Sequence, residues 1–295
     1  MENIGVVILH YKTSEKTIDC VNSFLNIDSS SFKPHIVVVC NTGGDKSDCE
    51  IGYKYQDSSA VEVVSTPKPL VFARAMNVGV KALEQYHPKF IILSNNDIIF
   101  DEPQMYLKID EEYKQSHFGA MGPDVHTISS DTHSSPFYIR YYFSWFANVK
   151  IIILILRSYF LRQWKKEPDK EFIYNNKQYK KRVENKMLQG SFVILSKDYL
   201  ARFPQGLYPQ KSFFLEENIL LYLCQKFNLK TVYNPSIKVD HIHSVSIDQR
   251  FQDKAKKRKF VMVETLRSRH TFLHIIARYN LTKHIKYSHR KEKAK

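Results

Sequence analysis

The stretch Phe90-Ile91-Ile92-Leu93-Ser94-Asn95-Asn96-Asp97-Ile98-Ile99-Phe100 decides how this chain is read. An apolar run delivers Asn95, Asn96 and Asp97 and then turns apolar again. Two readings fit that pattern. Asn and Asp are common turn formers, so it suits a strand followed by a tight turn. It also suits a buried strand that carries oxygen ligands to a sheet edge, where a hard cation takes one or two carboxylates plus substrate phosphates.

Upstream of this stretch, continuous apolar runs recur at Ile4–Leu9, His35–Cys40 and Val61–Val64. Short β-branched runs of this kind suit central strands of a parallel sheet buried on both faces. Between them, Thr17–Leu25 has Ile18, Val21, Phe24 and Leu25 at helical spacing, and Ala73–Leu83 reads as a second helix. Strand and helix alternating with short polar loops predict an α/β fold with an open, mostly parallel sheet flanked by helices. In such sheets ligands bind beyond the carboxyl ends of the strands. The polar strand ends His10-Tyr11, Asn41-Thr42 and Asn95-Asn96-Asp97 are therefore expected on one rim.

No glycine-rich dinucleotide fingerprint follows the first strand, no GxxxxGK[ST] loop occurs, and no serine nucleophile elbow is present. The four cysteines, Cys20, Cys40, Cys49 and Cys224, form no CxxC pair. With no basic, cleavable leader at Met1, reduced thiols in the cytoplasm are the expectation. The most apolar stretch, Phe143–Trp164, is broken by Lys150 and Arg157 and falls short of a membrane span.

The formal charge of +14 is not spread evenly. Residues 251–295 hold 14 basic and 3 acidic side chains, a net of +11; residues 137–182 hold 11 and 3, a net of +8. The remainder is 14 − 19 = −5, so the positive charge is local to two segments. Local positive charge of this size fits attraction to an anionic surface.

In order along the chain, Val6–Tyr11, Val37–Thr42, Val71–Gly79, Leu93–Asp97, Gln189–Ile194, Phe213–Asn218 and Tyr233–His241 resemble the successive motifs of family 2 glycosyltransferases with the GT-A fold. They are most similar to the bacterial rhamnosyltransferase-like branch. The resemblance implies transfer of a sugar from a nucleotide-diphosphate donor to a lipid-linked or polysaccharide acceptor in cell-surface glycan synthesis, with inversion. It also implies a divalent cation, Mg²⁺ or Mn²⁺, held by Asp97 with His241 as a further contact and His243 as a competing one. Donor contacts are implied for His10, Tyr11, Asn41, Thr42, Arg74, Asn77, Asn95 and Asn96. The acidic pair Glu216-Glu217 would supply the base, with Glu217 favoured. Cys40 departs from the family, which usually has an Asp there to read the nucleobase.

On this template residues 1–250 form the GT-A domain, with 1–125 the nucleotide half and 126–250 the acceptor half, and 251–295 form a basic helical extension. Aromatic and basic residues interleave in 137–182, as in an interfacial element. The helix expected from Lys254 to Arg278 sets Val263, Leu266, His270, Leu273 and Ala277 on one face. Together these predict a cytoplasmic protein peripheral on the inner face of the membrane, with an anionic lipid surface and no nucleic acid among its partners. The rival expectation is a catalytically silent GT-A-like partner subunit, which Cys40 and the single carboxylate of the Asn95–Asp97 motif favour.

Overall fold

The computed structural model describes residues 1–133, 135–136, 144–160, 179–242 and 253–292. In chain order it contains β1 (Glu2–His10), α1 (Ser14–Leu25), β2 (Phe32–Cys40), α2 (Lys46–Tyr55), β3 (Val61–Ser65), α3 (Phe72–Leu83), β4 (Phe90–Asn95) and β5 (Ile98–Ile99). There follow α4 (Met105–Ser116), β6 (Phe118–Thr127), β7 (Thr132–His133), α5 (Trp145–Phe160), β8 (Val183–Glu184), β9 (Phe192–Ser196), α6 (Lys197–Leu200), α7 (Glu216–Lys226), β10 (Lys230–His241) and α8 (Lys254–Glu292). The main path of the sheet runs β3-β2-β1-β4-β9-β6-β10-β5.

The chain forms two compact units. One comprises 1–138, 173–209 and 216–245; the other comprises 139–172, 210–215 and 246–295.

The first unit contains the sheet. Strands β1, β2, β3 and β4 are mutually parallel, as the β-branched runs predict. Strand β9 enters antiparallel between β4 and β6, and β10 returns parallel to β6. Alternate residues of β1 feed the two faces. Ile4, Val6 and Ile8 join Val21 and Phe24 of α1, Ile51 of α2 and Ile109 of α4 in one buried cluster. On the other face, α3 lies close enough that a Cβ on Gly79 would stand 2.4 Å from Val7 Cγ1 and 3.0 Å from Val39 Cγ2. A glycine at that point lets the helix backbone press against β1 and β2.

Strand register sets the rim. His10 pairs with Cys40, Leu9 with Asn95 and Cys40 with Ser65. The loops opening at Tyr11, Asn41, Thr66 and Asn96 therefore leave the sheet at one level, which is the rim expected from the polar strand ends.

In the second unit α5 packs on α8. Arg269 Nη1 donates to the buried Asn148 side-chain oxygen at 2.8 Å, and the Phe213 N–H donates to Glu264 at 3.1 Å. Helix α8 buries Met262, Ser268, Phe272, Ile275 and Ile276 rather than the expected stripe of Val263, Leu266, His270, Leu273 and Ala277, of which His270 is exposed and the others are half-buried. Polar anchors set that rotation. The Ser268 hydroxyl bonds Ser212 Oγ at 2.9 Å, and the neighbouring Arg269 reaches Asn148. The stretch 137–182 expected to be interfacial is described only at 144–160 and from 179 on, so much of it, with His243, lies outside the described residues. Among the described residues, no helix is long and apolar enough to cross a membrane.

Candidate active site

At the end of β4 the backbone N–H of Asn95 donates to the Ser191 carbonyl at 2.8 Å, tying the 95–97 turn to the entry of β9. The three polar residues of the turn then diverge. Asn96 is buried and donates to Thr17 Oγ1 at 2.9 Å, so it secures the turn to α1. Asn95 remains half-exposed. Asp97 is 2 % exposed. Its carboxylate stands 3.1 Å from His241 Nε2. Two pairings deliver this contact: His241 pairs with Ile98 across β5 and β10, and Ile242 N–H donates to the Asp97 carbonyl at 2.9 Å. Two residues 144 positions apart in sequence (241 − 97) thus converge as an oxygen and nitrogen donor pair on the rim.

That donor set fits a divalent cation that is completed by phosphate oxygens. Among the described residues, no group of three or more His, Cys, Asp or Glu side chains could hold one. A cation held there would have two protein donors, Asp97 and His241, with substrate and water completing its shell.

Glu216 and Glu217 open α7 and are directed to different surroundings. A Cβ on Gly190 would lie 2.6 Å from Glu217 Oε1, so the carboxylate rests directly over the Gly190 backbone. Burial raises the Glu217 carboxyl above the usual carboxylate range, while the backbone N–H groups of Glu217 itself and of Gly190 pull it down. Glu216 instead lines a narrow crevice with Tyr199, Leu207, Tyr208 and Ile219, too tight to admit water. Gly190 precedes Ser191, whose carbonyl holds Asn95. Glu217 is therefore linked through Gly190 and Ser191 to the turn that carries Asp97.

The other expected donor contacts have structural partners. His10 has zero exposure; Nδ1 lies 2.6 Å from Thr17 Oγ1 and Nε2 lies 3.0 Å from Ser47 Oγ. Its ring fastens β1 to α1 and α2 behind the rim and is not presented to a ligand there. Burial holds its pKa below the ordinary histidine value, against the opposing pull of Asp48. Asn41 grips Leu70 at both backbone groups, donating to its carbonyl at 3.0 Å and accepting from its N–H at 2.8 Å. Asn77 grips Leu207 in the same two-handed way, at 2.7 and 2.9 Å. Arg74 Nε donates to the Pro209 carbonyl at 3.3 Å. Thr42 Oγ1 accepts from the Asp45 N–H at 3.3 Å. Tyr11 is half-buried, with the Lys12 ammonium 5.2 Å from its ring centroid, and Asn95 is half-exposed.

Cys40 is fully buried, and burial pushes its thiol up to about 12. The acid that shapes the loop after β2 is Asp48, whose Oδ2 accepts from the Gly44 N–H at 2.8 Å. Gly43 and Gly44, with φ of 86° and 90°, take the left-handed conformation that this loop needs.

A set of paired ionisable groups lies around the β6–β7 turn, beside β10. His126 lies 2.9 Å from Asp240 and 3.0 Å from Asp131, and His133 lies 2.9 Å from Asp124. The antiparallel pairing of His126 with His133 and of Thr127 with Thr132 sets each His beside the Asp of the other stretch, Asp124-Val125-His126 and Asp131-Thr132-His133.

No protein-family model matches the chain, and no curated protein matches it. Solved structures do. Residues 1–349 of S. aureus TarS superpose with a TM-score of 0.50 at 12 % identity, over 82 % of this chain and 60 % of that one. The same protein in complex with UDP-GlcNAc gives 0.50 at 15 % identity, over 83 % and 59 %.

The fold is of the GT-A type.

The chain thus spans about three fifths of the TarS structures it matches. At this level of identity the likeness is one of fold. It agrees with the strand succession and the shared rim, and it does not distinguish the rhamnosyltransferase-like branch from others with the same fold.

Proposed function

We propose that this protein is a glycosyltransferase that moves a sugar from a nucleotide-diphosphate donor to a hydroxyl of a cell-surface glycan or its lipid-linked precursor. The observation that carries the reading is the link between two acidic centres on one rim: Asp97 beside His241, and Glu217 over Gly190, joined through Ser191 and Asn95. A GT-A fold that binds UDP-GlcNAc in S. aureus TarS supports the same donor class here.

In this reading Asp97 and His241 hold a divalent cation, Mg²⁺ or Mn²⁺, against the donor diphosphate. When bound, such a cation neutralises charge that accumulates on a departing diphosphate. Asn95 and Tyr11 border the donor, and Arg74, in the first turn of α3, pairs with phosphate. Glu217 accepts the proton of the attacking acceptor hydroxyl. A carboxyl raised towards neutrality is a more effective base than a fully solvated one, provided it still ionises at the working pH. Attack by a hydroxyl on the face opposite the leaving group would invert the anomeric centre.

The test is donor binding and turnover with a panel of nucleotide sugars, with and without Mn²⁺ or Mg²⁺. A ligand bound only by the native state raises its melting temperature. Asp97→Asn should abolish the metal-dependent part of that shift, and Glu217→Gln should leave the shift while removing transfer. Full activity in both variants would sink the assignment. A donor shift without any transfer or hydrolysis would favour the silent partner subunit instead.

A further inference from the structure

Helix α5 of the second unit has an apolar surface that the proposed reaction does not use. Trp145, Phe146, Ile153, Leu154, Leu156 and Tyr159 are all exposed, with Phe146 at 79 % and Ile153 at 57 %. Scattered exposed apolar residues need no explanation, but six on one 16-residue helix do. At 3.6 residues per turn, all of them except Leu154 fall within an arc of about 140°. Next to the Tyr159 edge of the arc the helix turns inward, where Asn148 is buried and accepts from Arg269 at 2.8 Å. The arc is exposed, while Ala147, Ile151, Ile155 and Ser158, with Asn148, occupy the less exposed sector of a helix that packs on α8.

Charge and end residues indicate what covers that face. The helix contains no Asp or Glu. Lys150 and Arg157 are exposed and stand at one edge of the apolar arc. Aromatic residues mark both ends, Trp145 and Phe146 at the start and Tyr159 near the finish. Aromatic rings with a polar edge favour the headgroup level of a bilayer, and basic side chains can reach anionic headgroups while their stems stay on apolar surface. A protein partner with an apolar groove would not require that charge pattern. The chain around the helix is also basic, with a net of +8 over 137–182 and +11 over 251–295.

We infer that α5 is a membrane-docking helix that lies in the interface of an anionic bilayer, its Trp145–Phe146–Ile153–Leu156–Tyr159 face among the acyl chains and Lys150 and Arg157 at the headgroups. Surface binding of this kind depends jointly on buried apolar area and on electrostatic attraction. The helix lies on the membrane and does not cross it. This inference is independent of the transfer reaction and would stand if the protein proved to be a silent subunit.

The experiment uses the full chain with vesicles of phosphatidylcholine, alone or with about 30 mol% phosphatidylglycerol, at low and high salt. Co-sedimentation should be strong only with the anionic vesicles, and about 0.5 M salt should weaken it by shortening the screening length. Phe146→Ser with Ile153→Ser should lower partitioning about tenfold or more, because both lose acyl-chain contact. These residues are exposed, and an unchanged melting temperature will confirm intact folding. A second readout uses Trp164→Phe, which leaves Trp145 as the single tryptophan of the two in the chain. Its emission should shift to the blue on binding and be quenched by lipids brominated in the acyl chains. No binding to anionic vesicles, unaffected binding by the double variant, or an unquenched Trp145 would overturn the inference. So would concentration-dependent self-association that the double variant abolishes, since the face would then cover a second copy.

Discussion

The Glu217 carboxylate rests on the backbone of Gly190, with 2.6 Å between Oε1 and the position a Cβ would take. No larger residue fits at 190 unless the carboxylate moves. This contact joins α7 to the start of β9, and through Ser191 to the Asn95 turn. Gly190→Ala is expected to displace the acid without dismantling the sheet. Transfer should fall about 10- to 100-fold, in line with the sensitivity of catalysis to misplacement of about 1 Å. Circular dichroism and a melting curve close to those of the parent would separate this outcome from simple unfolding.

The raised pKa of Glu217 has a consequence for stability. In the unfolded chain the carboxyl ionises near its ordinary value; in the folded protein burial makes ionisation harder. Between those two values the folded state binds more protons than the unfolded one, so stability is lost as pH rises through that window. At neutral pH the native protein therefore carries a penalty that Glu217→Gln removes. The variant should melt higher than the parent at pH 7.5, with the difference vanishing below about pH 4, where both forms are neutral. Transfer should fall about 100-fold or more, the scale of a lost general base. A lower melting temperature at pH 7.5 would contradict the buried, strained carboxylate.

Gly79 holds α3 against β1. Its absent Cβ would come within 2.4 Å of Val7 Cγ1. Gly79→Ala should destabilise the protein by about 1–3 kcal/mol through overpacking, outweighing the better helix propensity of alanine. Urea denaturation measures this directly. Adding Val7→Ala makes room at the same contact, so the double variant should cost less than the sum of the two single changes.

His10 supplies a pH signature of the opposite sense to Glu217. Burial lowers its pKa, so the unfolded state takes up a proton first as pH falls below about 6.5. Stability contributed by the neutral ring is complete above that pH and declines as acid is added through the window between the unfolded and folded values. His10→Gln should flatten the dependence of stability on pH between about 5 and 7 relative to the parent. His126, whose pKa is raised first by its hydrogen bond to Asp240, contributes with the opposite slope but is common to both proteins. An unchanged slope would mean that His10 does not titrate on unfolding.

Much of the first unit was legible in the chain. The apolar runs Ile4–Leu9, His35–Cys40 and Phe90–Leu93 became β1, β2 and β4, and their polar ends came to one rim. The individual jobs of the rim residues were not legible. Asn41 and Asn77 each clamp a distant backbone segment, and Asn96 turns to Thr17 while Asp97, next to it, faces His241. An amide side chain in a loop looks the same in sequence whether it will bind a ligand or another loop. The ion pairs around the β6–β7 turn were not legible, because each His pairs with the Asp of the other Asp-x-His stretch and His126 also meets Asp240 of β10.

The sequence by itself determined the local pattern of the first half: the strands β1 to β4, the helices α1 and α3, and the polar groups that end the strands. Residue periodicity and β-branching act over a few positions, so one chain suffices to read them. Tertiary structure alone decided that β9 enters antiparallel between β4 and β6, that 139–172 and 210–215 group with 246–295, and that Glu217 rather than Glu216 lies on Gly190. It also brought Asp97 to within 3.1 Å of His241. These relationships join residues scores of positions apart. They depend on strand order and on the direction of each side chain after packing, which no local spacing encodes.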